Sequence, residues 1–245
     1  MATFILVHGA WGGGWHWKWV APYLRVAGHT VYTPSLTGMG DRAHLISPAV
    51  DLDTHILDVA NLLQYEDLQD VVLVGWSYGG MPVTGAADRV PERIAHIVFL
   101  DSDIPRDGDT SVPPGQIAAR EAMAWEQGYG WFVPPRPDIW DGYLGRWLPE
   151  DMRQWIFARL TPHPLRTWTQ PIRLMNPKLA TIPCTYIRCT VDVDETTEDT
   201  IRQNERIRAE TSWRYRELET NHFAPFTEPR ATADLLLEAA GQSRP

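Results

Sequence analysis

Short apolar runs alternate with amphipathic stretches along most of this 245-residue chain. Apolar runs bounded by turn residues predict buried strands, and apolar residues three or four positions apart predict helices. Strands are predicted at 3–7, 30–32, 71–74, 94–100, 184–189 and 213–217. Helices are predicted at 17–27, 51–65, 79–90, 197–211 and 227–240, with Asp53 or Thr54 as the cap of the second. Such alternation is typical of an α/β fold, with a mostly parallel sheet of about six strands and helices on both faces.

The alternation breaks between residues 105 and 178, where Pro, Trp and Arg are frequent and the helical pieces are short. We interpret this part as a helical insertion over one edge of the sheet and refer to it as the cap segment. The sequence contains no internal repeat or low-complexity tract. We therefore predict a single α/β domain over residues 1–245 that carries this cap.

Composition and charge narrow the classes of partner. The chain is 44% hydrophobic and 22% charged, with a net charge of −9 and no Lys/Arg cluster, which disfavours nucleic acid and anionic membranes. The N-terminal residues lack a basic leader, and no apolar stretch approaches the length of a membrane span. Cys184 and Cys189 are expected to be reduced core thiols. We predict a cytoplasmic protein with a small-molecule substrate, and leave a homodimer open.

The apolar run at 71–74 leads directly into Gly75-Trp76-Ser77-Tyr78-Gly79, a Gly-x-Ser-x-Gly element. A strand that turns at once into a helix holds the serine in a strained turn, and glycines on both sides avoid collisions across it. The turn presents the hydroxyl at the end of the sheet, beside the positive end of the helix. Because the motif also occurs by chance as a flexible turn, its interpretation as a nucleophile depends on partner residues.

His222 follows the last predicted strand and precedes the last predicted helix, which is where a general base reaches such a serine. The alternative is a buried or capping histidine in a loop. The acid that orients the base is expected after the strand at 184–189, where Asp192 is the first carboxylate. We rank Asp192 first. The remaining acidic candidates are Asp194 and Glu195 in the same loop, and Asp101 and Asp103 after the strand at 94–100.

Two backbone N–H groups are expected to stabilise the charge that develops on a reacting carbonyl. One belongs to Tyr78, directly after the serine, and the second to Ala10, in the His8-Gly9-Ala10 loop after the first strand. The glycines at 12–14 lack the full Gly-x-Gly-x-x-Gly context and a P-loop lysine, which argues against a nucleotide site. Histidine and cysteine spacings match no metal motif, so no metal or cofactor is expected.

These motifs resemble the α/β-hydrolase superfamily, and within it the plant-type esterase and hydroxynitrile lyase branch with its bacterial esterase relatives. The matching stretches are 4–11, 36–42, 75–80, 99–105, 186–192, and His222 with 228–229. The resemblance implies the α/β-hydrolase fold, with residues 105–178 forming a cap over the site. It also implies a triad of Ser77, Asp192 and His222, with Ala10 and Tyr78 as oxyanion donors.

Hydroxynitrile lyases of this branch carry a threonine after the first-loop histidine and a lysine after the catalytic histidine. This chain has Gly9 and Phe223 there, so the resemblance implies ester hydrolysis rather than cyanohydrin cleavage. Two departures bear on the substrate, because Trp76 replaces the usual histidine before the nucleophile and Asp103 replaces an apolar residue. They motivate one rival hypothesis, a non-hydrolytic lyase or cyclase for a specialised metabolite. A slow-turnover ligand receptor that retains the triad is a second rival.

The chain has 12 tryptophans, concentrated in its first twenty residues and in the cap segment. At least half are expected to pack the cap onto the body, and the others predict an aromatic pocket. The candidate pocket residues are Trp11, Trp76, Asp103, Trp125, Trp131 and Trp140. They favour an ester or lactone of a bulky apolar or aromatic small molecule, cleaved by a serine hydrolase through an acyl-enzyme.

Overall fold

A six-stranded sheet forms the centre of the computed structural model, which describes residues 1–191 and 198–241. The strands are β1 (Thr3–Val7), β2 (Thr30–Tyr32), β3 (Val71–Trp76), β4 (Ile94–Leu100), β5 (Phe132–Val133), β6 (His163–Pro164), β7 (Cys184–Cys189) and β8 (Arg214–Leu218). The sheet order is β2-β1-β3-β4-β7-β8, with parallel pairing throughout. β5 and β6 form a separate antiparallel ribbon. The predicted parallel α/β sheet of about six strands is confirmed.

Helices cover both faces of this sheet. They are α1 (Ala21–Val26), α2 (Leu52–Tyr65), α3 (Gly80–Arg89), α4 (Pro114–Gln127), α5 (Pro137–Leu144), α6 (Glu150–Phe157), α7 (Arg166–Thr169), α8 (Glu198–Ala209), α9 (Ala224–Thr227) and α10 (Pro229–Gly241). Short 3-10 turns lie at Gly14–Trp17, Gly40–Leu45, Ser77–Gly79, Pro91–Arg93 and Pro177–Thr181. The helix predicted at 17–27 starts only at Ala21, where Pro22 occupies the first turn and needs no N–H partner.

The cap of α2 differs from the predicted one. Asp51, rather than Asp53 or Thr54, is the N-cap residue, and its Oδ1 accepts a hydrogen bond from Thr54 N at 3.0 Å. Thr54 Oγ1 in turn accepts from Asp51 N at 3.4 Å, which completes a capping box. A threonine three residues after the cap can return this bond, so the cap lies one turn before Thr54.

Alternate residues of β1 enter two separate cores. Ile5 and Val7 pack with α2 and α3, whereas Phe4 and Leu6 pack with α1 and α10. All four side chains have no exposed surface, as expected for a parallel sheet that is covered on both faces. Complete burial of each such side chain contributes about 1.5–3 kcal/mol to folding. The rigid two-sided core holds the carboxyl ends of the strands in register.

The cap segment contains α4–α7 and the ribbon of β5 and β6. Its buried side chains extend the two cores of the body, with Val133 and Trp168 in the first and Trp140 and Leu144 in the second. That the cap segment is an insertion into a single domain stays a prediction.

The described residues also show the lengths of the apolar helices and the state of the two cysteines. Within residues 1–191 and 198–241, no helix is long and apolar enough to cross a membrane. Cys184 and Cys189 are free and buried. Burial raises the pKa of the Cys184 thiol to about 12, so this thiol is an unreactive core group at neutral pH.

Candidate active site

The ends of three neighbouring strands bring the candidate residues together. Val7 at the end of β1 pairs with Gly75 in β3, and Trp76 at the end of β3 pairs with Leu100 at the end of β4. Ser77 and Asp101 follow β3 and β4 directly, and therefore leave the sheet at the same edge. Ligand sites of parallel α/β sheets lie at this carboxyl edge.

Ser77 stands in a strained turn between β3 and α3. Its φ angle is 55°, in the left-handed region that residues with a Cβ rarely occupy. A Cβ added at Gly75 would lie 2.7 Å from Gly79 O, and one added at Gly79 would lie 2.7 Å from Val7 O. Both positions therefore require glycine, as the motif predicts, and the turn holds the serine hydroxyl away from the sheet.

A hydrogen-bonded chain links Ser77, His222 and Asp101. The Nε2 atom of His222 lies 2.9 Å from Ser77 Oγ, and its Nδ1 donates to Asp101 Oδ2 at 2.6 Å. Because the carboxylate accepts from Nδ1, the unprotonated Nε2 of a neutral ring faces the serine hydroxyl. This geometry allows the imidazole to remove the hydroxyl proton while the carboxylate stabilises the resulting imidazolium.

The described carboxylate on His222 is Asp101, one of the alternatives that the sequence left open beside Asp192. Its Oδ1 accepts from Cys189 N at 3.2 Å, and its own N–H donates to Ile187 O at 2.8 Å. These bonds anchor it between β4 and β7. Asp192 lies outside the described residues. Asp101 is the described carboxylate that contacts His222, and it follows β4, the strand next to β3. The sequence had left the end of this strand open as a second position for the acid.

Trp76 holds the loop that carries His222 and does not line a pocket. It is 1% exposed, and its Nε1 donates to His222 O at 2.8 Å. The loop is also tied to α5, because Asn221 Nδ2 donates to Tyr143 O at 3.0 Å. The predicted substrate contact for Trp76 is therefore corrected, since its ring is enclosed and its polar atom holds the backbone of His222.

The loop after β1 approaches the nucleophile closely. A Cβ added at Gly9 would lie 3.0 Å from Ser77 Cβ, so the backbone that leads to Ala10 runs beside the serine. His8 holds this loop, with Nδ1 donating to Gly9 O at 2.8 Å and Nε2 accepting from Leu36 N at 3.0 Å. Burial lowers the pKa of His8 to about 4, which keeps the ring neutral in this role.

The side chain of Tyr78, the residue after the nucleophile, is anchored by a histidine that sequence reasoning missed. Tyr78 Oη donates to His55 Nδ1 at 2.8 Å, and His55 Nε2 donates to Thr37 O at 2.8 Å. Burial raises the pKa of Tyr78 and lowers that of His55 to about 4, so both groups stay neutral. Asp58 accepts from Thr37 N at 2.6 Å and completes the support. The available signal was a histidine on the apolar face of α2.

Two of the predicted pocket tryptophans, Trp11 and Trp140, lie close to the catalytic loop. Their ring centroids are 6.4 Å apart, and Trp140 lies 4.8 Å from Phe223, the residue after His222. Asp103 is adjacent through its backbone, since its N–H donates to Ser77 O at 3.2 Å. Its Oδ2 accepts from Ser111 Oγ at 2.7 Å.

The other two tryptophans differ in position. The Trp131 ring is half-buried and packs edge-on against Phe132 at 4.9 Å within the cap segment. Trp125 is 73% exposed, and its ring covers Gly130 on the outside of α4. The pocket role predicted for Trp125 is therefore corrected, since the helix face that carries it points to solvent.

Within residues 1–191 and 198–241, no group of three or more His, Cys, Asp or Glu side chains could hold a metal ion. The described chemistry at the strand ends is a hydroxyl, an imidazole and a carboxylate in hydrogen-bond contact.

Comparison with known proteins agrees with this geometry. The model of the alpha/beta hydrolase family matches residues 4–235. A carbendazim hydrolyzing esterase from Nocardioides sp. (strain SG-4G) is 40% identical over 71% of this chain and 74% of its own length. Methylesterase 9 from Arabidopsis thaliana is 37% identical over 53% of this chain and 54% of its own length.

Similarity in structure extends over nearly the whole chain. An extracellular α/β-hydrolase from a Paenibacillus species, described as homologous to tobacco Salicylic Acid Binding Protein 2, superimposes with a TM-score of 0.82 and 25% identity. The superposition covers 98% of this chain and 99% of that one. The chain therefore belongs to the α/β hydrolase family, in the branch of the plant methylesterases and their bacterial esterase relatives.

Proposed function

We propose that this protein is a serine hydrolase that cleaves carboxylic esters through an acyl-enzyme. The observation that carries the proposal is the contact of His222 with both Ser77 Oγ, at 2.9 Å, and Asp101 Oδ2, at 2.6 Å, at a strained strand–helix turn. The esterases among the relatives support the same reaction class.

Each residue has a defined role in the proposed reaction. Ser77 Oγ attacks the ester carbonyl while His222 Nε2 takes its proton, and the same proton then passes to the leaving alcohol. The resulting acyl-enzyme is hydrolysed by a water molecule that His222 deprotonates in turn. Asp101 keeps the imidazole oriented and stabilises its charged form. The N–H groups of Ala10 and Tyr78 stabilise the oxyanion, where one donor is worth about 10²–10³ in kcat.

The substrate that we propose is an ester with a bulky apolar or aromatic part. Trp11 is half-buried and lies against Trp140, which packs on Phe223 beside His222, and exposed aromatic surface of this kind suits flat apolar ligands. The relative named as a carbendazim hydrolyzing esterase supports a small-molecule ester as the substrate class here. Free, buried Cys184 and Cys189 support the further proposal of a reducing, cytoplasmic compartment.

Cyanohydrin cleavage, another activity of this branch, is less favoured for this protein than ester hydrolysis. The residue after His222 is Phe223, which is 5% exposed and packs on Trp140 at 4.8 Å. An apolar ring at this position supplies no positive charge to stabilise a leaving cyanide. No specific contact in the described residues favours a lyase, a cyclase or a receptor over hydrolysis.

Hydrolysis of p-nitrophenyl acetate and butyrate tests the proposal. The wild type is compared with Ser77→Ala and His222→Ala, and a phosphonate probe is located by mass spectrometry. We expect each substitution to lower kcat by about a thousandfold or more, with the probe on Ser77 of the wild type. Unchanged activity in Ser77→Ala would refute the nucleophile, and a folded wild type that hydrolyses no ester would favour the lyase, cyclase or receptor.

A further inference from the structure

Trp11, the residue after the proposed oxyanion donor Ala10, is bound to the cap segment by all of its polar atoms. Its carbonyl oxygen accepts from Thr161 N at 2.8 Å, and its indole Nε1 donates to Val133 O at 3.1 Å. Its backbone N–H lies 3.4 Å from His163 Nδ1. The φ angle of Trp11 is 58°, so these contacts hold a backbone conformation that is unfavourable for a residue with a Cβ.

The two cap residues on Trp11 are partners in one ribbon. Val133 of β5 pairs with His163 of β6 in antiparallel register. The ribbon therefore meets Trp11 as one unit, with Val133 on the indole and His163 on the backbone N–H. The Trp11 ring also packs edge-on against Trp168 of α7, with 5.1 Å between the centroids.

The hydrogen bonds of His163 define which of its ring nitrogens accepts. Thr167 Oγ1 donates to Pro164 O at 2.8 Å, so this oxygen is an acceptor for His163 Nε2–H at 2.7 Å. Nδ1 then carries the lone pair that faces Trp11 N. Burial lowers the pKa of His163 well below its usual value, which agrees with a neutral ring in this position.

His163 also contacts the residue of the other proposed oxyanion donor. Its ring lies edge-on to the ring of Tyr78, with 4.7 Å between the centroids and 85° between the planes. A single buried side chain of the cap segment thus touches Tyr78 on one side and the backbone of Trp11, next to Ala10, on another.

We propose that Trp11 and His163 form a latch through which the cap segment holds the backbone of the oxyanion loop, and thereby the Ala10 N–H, in position relative to the Tyr78 N–H. The inference rests on the proposed ester hydrolysis. Trp11 and His163 are positioning residues, because neither is required to touch the reacting atoms. Loosening the latch weakens binding of the tetrahedral intermediate and leaves ground-state binding nearly unchanged.

The test compares His163→Leu, which removes the acceptor, with His163→Asn, whose amide oxygen can replace Nδ1. The readouts are kcat and KM for p-nitrophenyl butyrate, and the inhibition constants of butyrate and of a trifluoromethyl ketone. The ketone forms a tetrahedral adduct with Ser77 that carries an oxyanion, whereas butyrate is a ground-state ligand. Tyr129→Phe, on a cap residue that is 83% exposed, is the matched control.

We expect His163→Leu to lower kcat by about tenfold to a hundredfold and to weaken the ketone by a similar factor. The KM and the butyrate inhibition constant should change by less than about threefold, and His163→Asn should recover most of the loss. Trp11→Phe, which removes the bond to Val133 O and part of the ring packing on Trp168, should lower kcat and weaken the ketone by a smaller factor. The control should match the wild type.

Two results would overturn the latch while leaving ester hydrolysis in place. One is an inhibition constant of the ketone that is unchanged in His163→Leu. The other is a rise of KM and of the butyrate inhibition constant that accounts for the whole loss of kcat/KM. If His163→Leu does not fold, Thr167→Val provides a second comparison, because it removes the oxygen that accepts from His163 Nε2, together with the bond of that oxygen to Pro164 O. Absence of hydrolysis and of a Ser77 adduct in the wild type would instead refute the proposed function, and the latch with it.

Discussion

Asp101 and Trp76 fix the position of His222 from two directions, one through a side chain and the other through the backbone. Asp101 Oδ2 accepts from the imidazole at 2.6 Å, and Trp76 Nε1 donates to the backbone carbonyl of the same residue at 2.8 Å. The first contact also fixes which nitrogen carries the proton, whereas the second fixes only the location of the ring. Substitutions of Asp101 and Trp76 should therefore lower kcat by different factors.

Asp101→Asn should lower kcat by about 10³–10⁴-fold with little change in KM, because an amide stabilises the wrong tautomer and no imidazolium. Asp192→Asn, in the same assay of p-nitrophenyl ester hydrolysis, should retain most of the activity. The opposite ranking would return the acid role to Asp192. Circular dichroism of both variants checks that the fold is retained.

Trp76→Phe should lower kcat by about threefold to tenfold, since it keeps the aromatic packing but removes one hydrogen bond worth about 1 kcal/mol. The KM should stay within about twofold, because the ring is 1% exposed and does not face the substrate. Trp125→Phe, at a cap position that is 73% exposed, serves as the matched comparison. A KM effect larger than the kcat effect would contradict this interpretation.

The residues of the site differed in how far they could be predicted. Ser77 and His222 follow from local rules, because the glycines at 75 and 79 and the position after the last strand are visible in the sequence. The acid depends on which strand lies beside β3, and strand order is a property of the whole sheet. His55 and His163 act through contacts between distant segments, so the sequence does not show which residues they bind.

At the scale of elements, α2 illustrates how a helix start is determined. The apolar spacing predicts the helix itself, and its end at Tyr65 is as expected. The cap was assigned one turn too late, because both Asp53 and Thr54 are acceptable cap residues in isolation. The reciprocal bonds between Asp51 and Thr54 decide the matter.

Asp51→Ala should lower the free energy of unfolding by about 1 kcal/mol, the usual cost of losing an N-cap. Activity should be unchanged at 25 °C, because the side-chain hydrogen bonds of Asp51 go to Thr54 and Arg166 rather than to Ser77 or His222. Urea unfolding monitored by circular dichroism gives the measurement. Glu126→Ala, at an exposed position of α4, is the control and should leave stability within about 0.5 kcal/mol of the wild type. Equal stability of the two variants would refute the capping box.

At the scale of the whole molecule, buried neutral histidines couple folding to pH. Burial lowers the pKa of His8 and of His55 to about 4, from 6.5 in an unfolded chain. Below pH 6.5 these histidines bind protons in the unfolded chain but not in the folded protein, so protonation favours unfolding. The stabilisation is complete above pH 6.5 and is lost as the pH falls towards 4.

The free energy of unfolding should therefore decrease between pH 6.5 and 4 by up to about 1.4 kcal/mol per pH unit for each of these histidines. Urea titrations at several pH values in this range give the slope. His55→Gln removes one titrating group and should flatten the slope, even though it lowers stability at pH 7. A stability that is constant from pH 6.5 to 4 would contradict this assignment.

The placement of Asp101 directly after β4 has a consequence for how this protein can diverge. Nucleophile and acid follow adjacent strands of one sheet, and only the histidine comes from a later part of the chain. Because β3 and β4 pair directly, a substitution that shifts one strand against the other also moves Ser77 relative to Asp101. We therefore expect β3 and β4 to diverge more slowly among descendants of this protein than the cap segment does, since the two strands set catalytic geometry as well as packing.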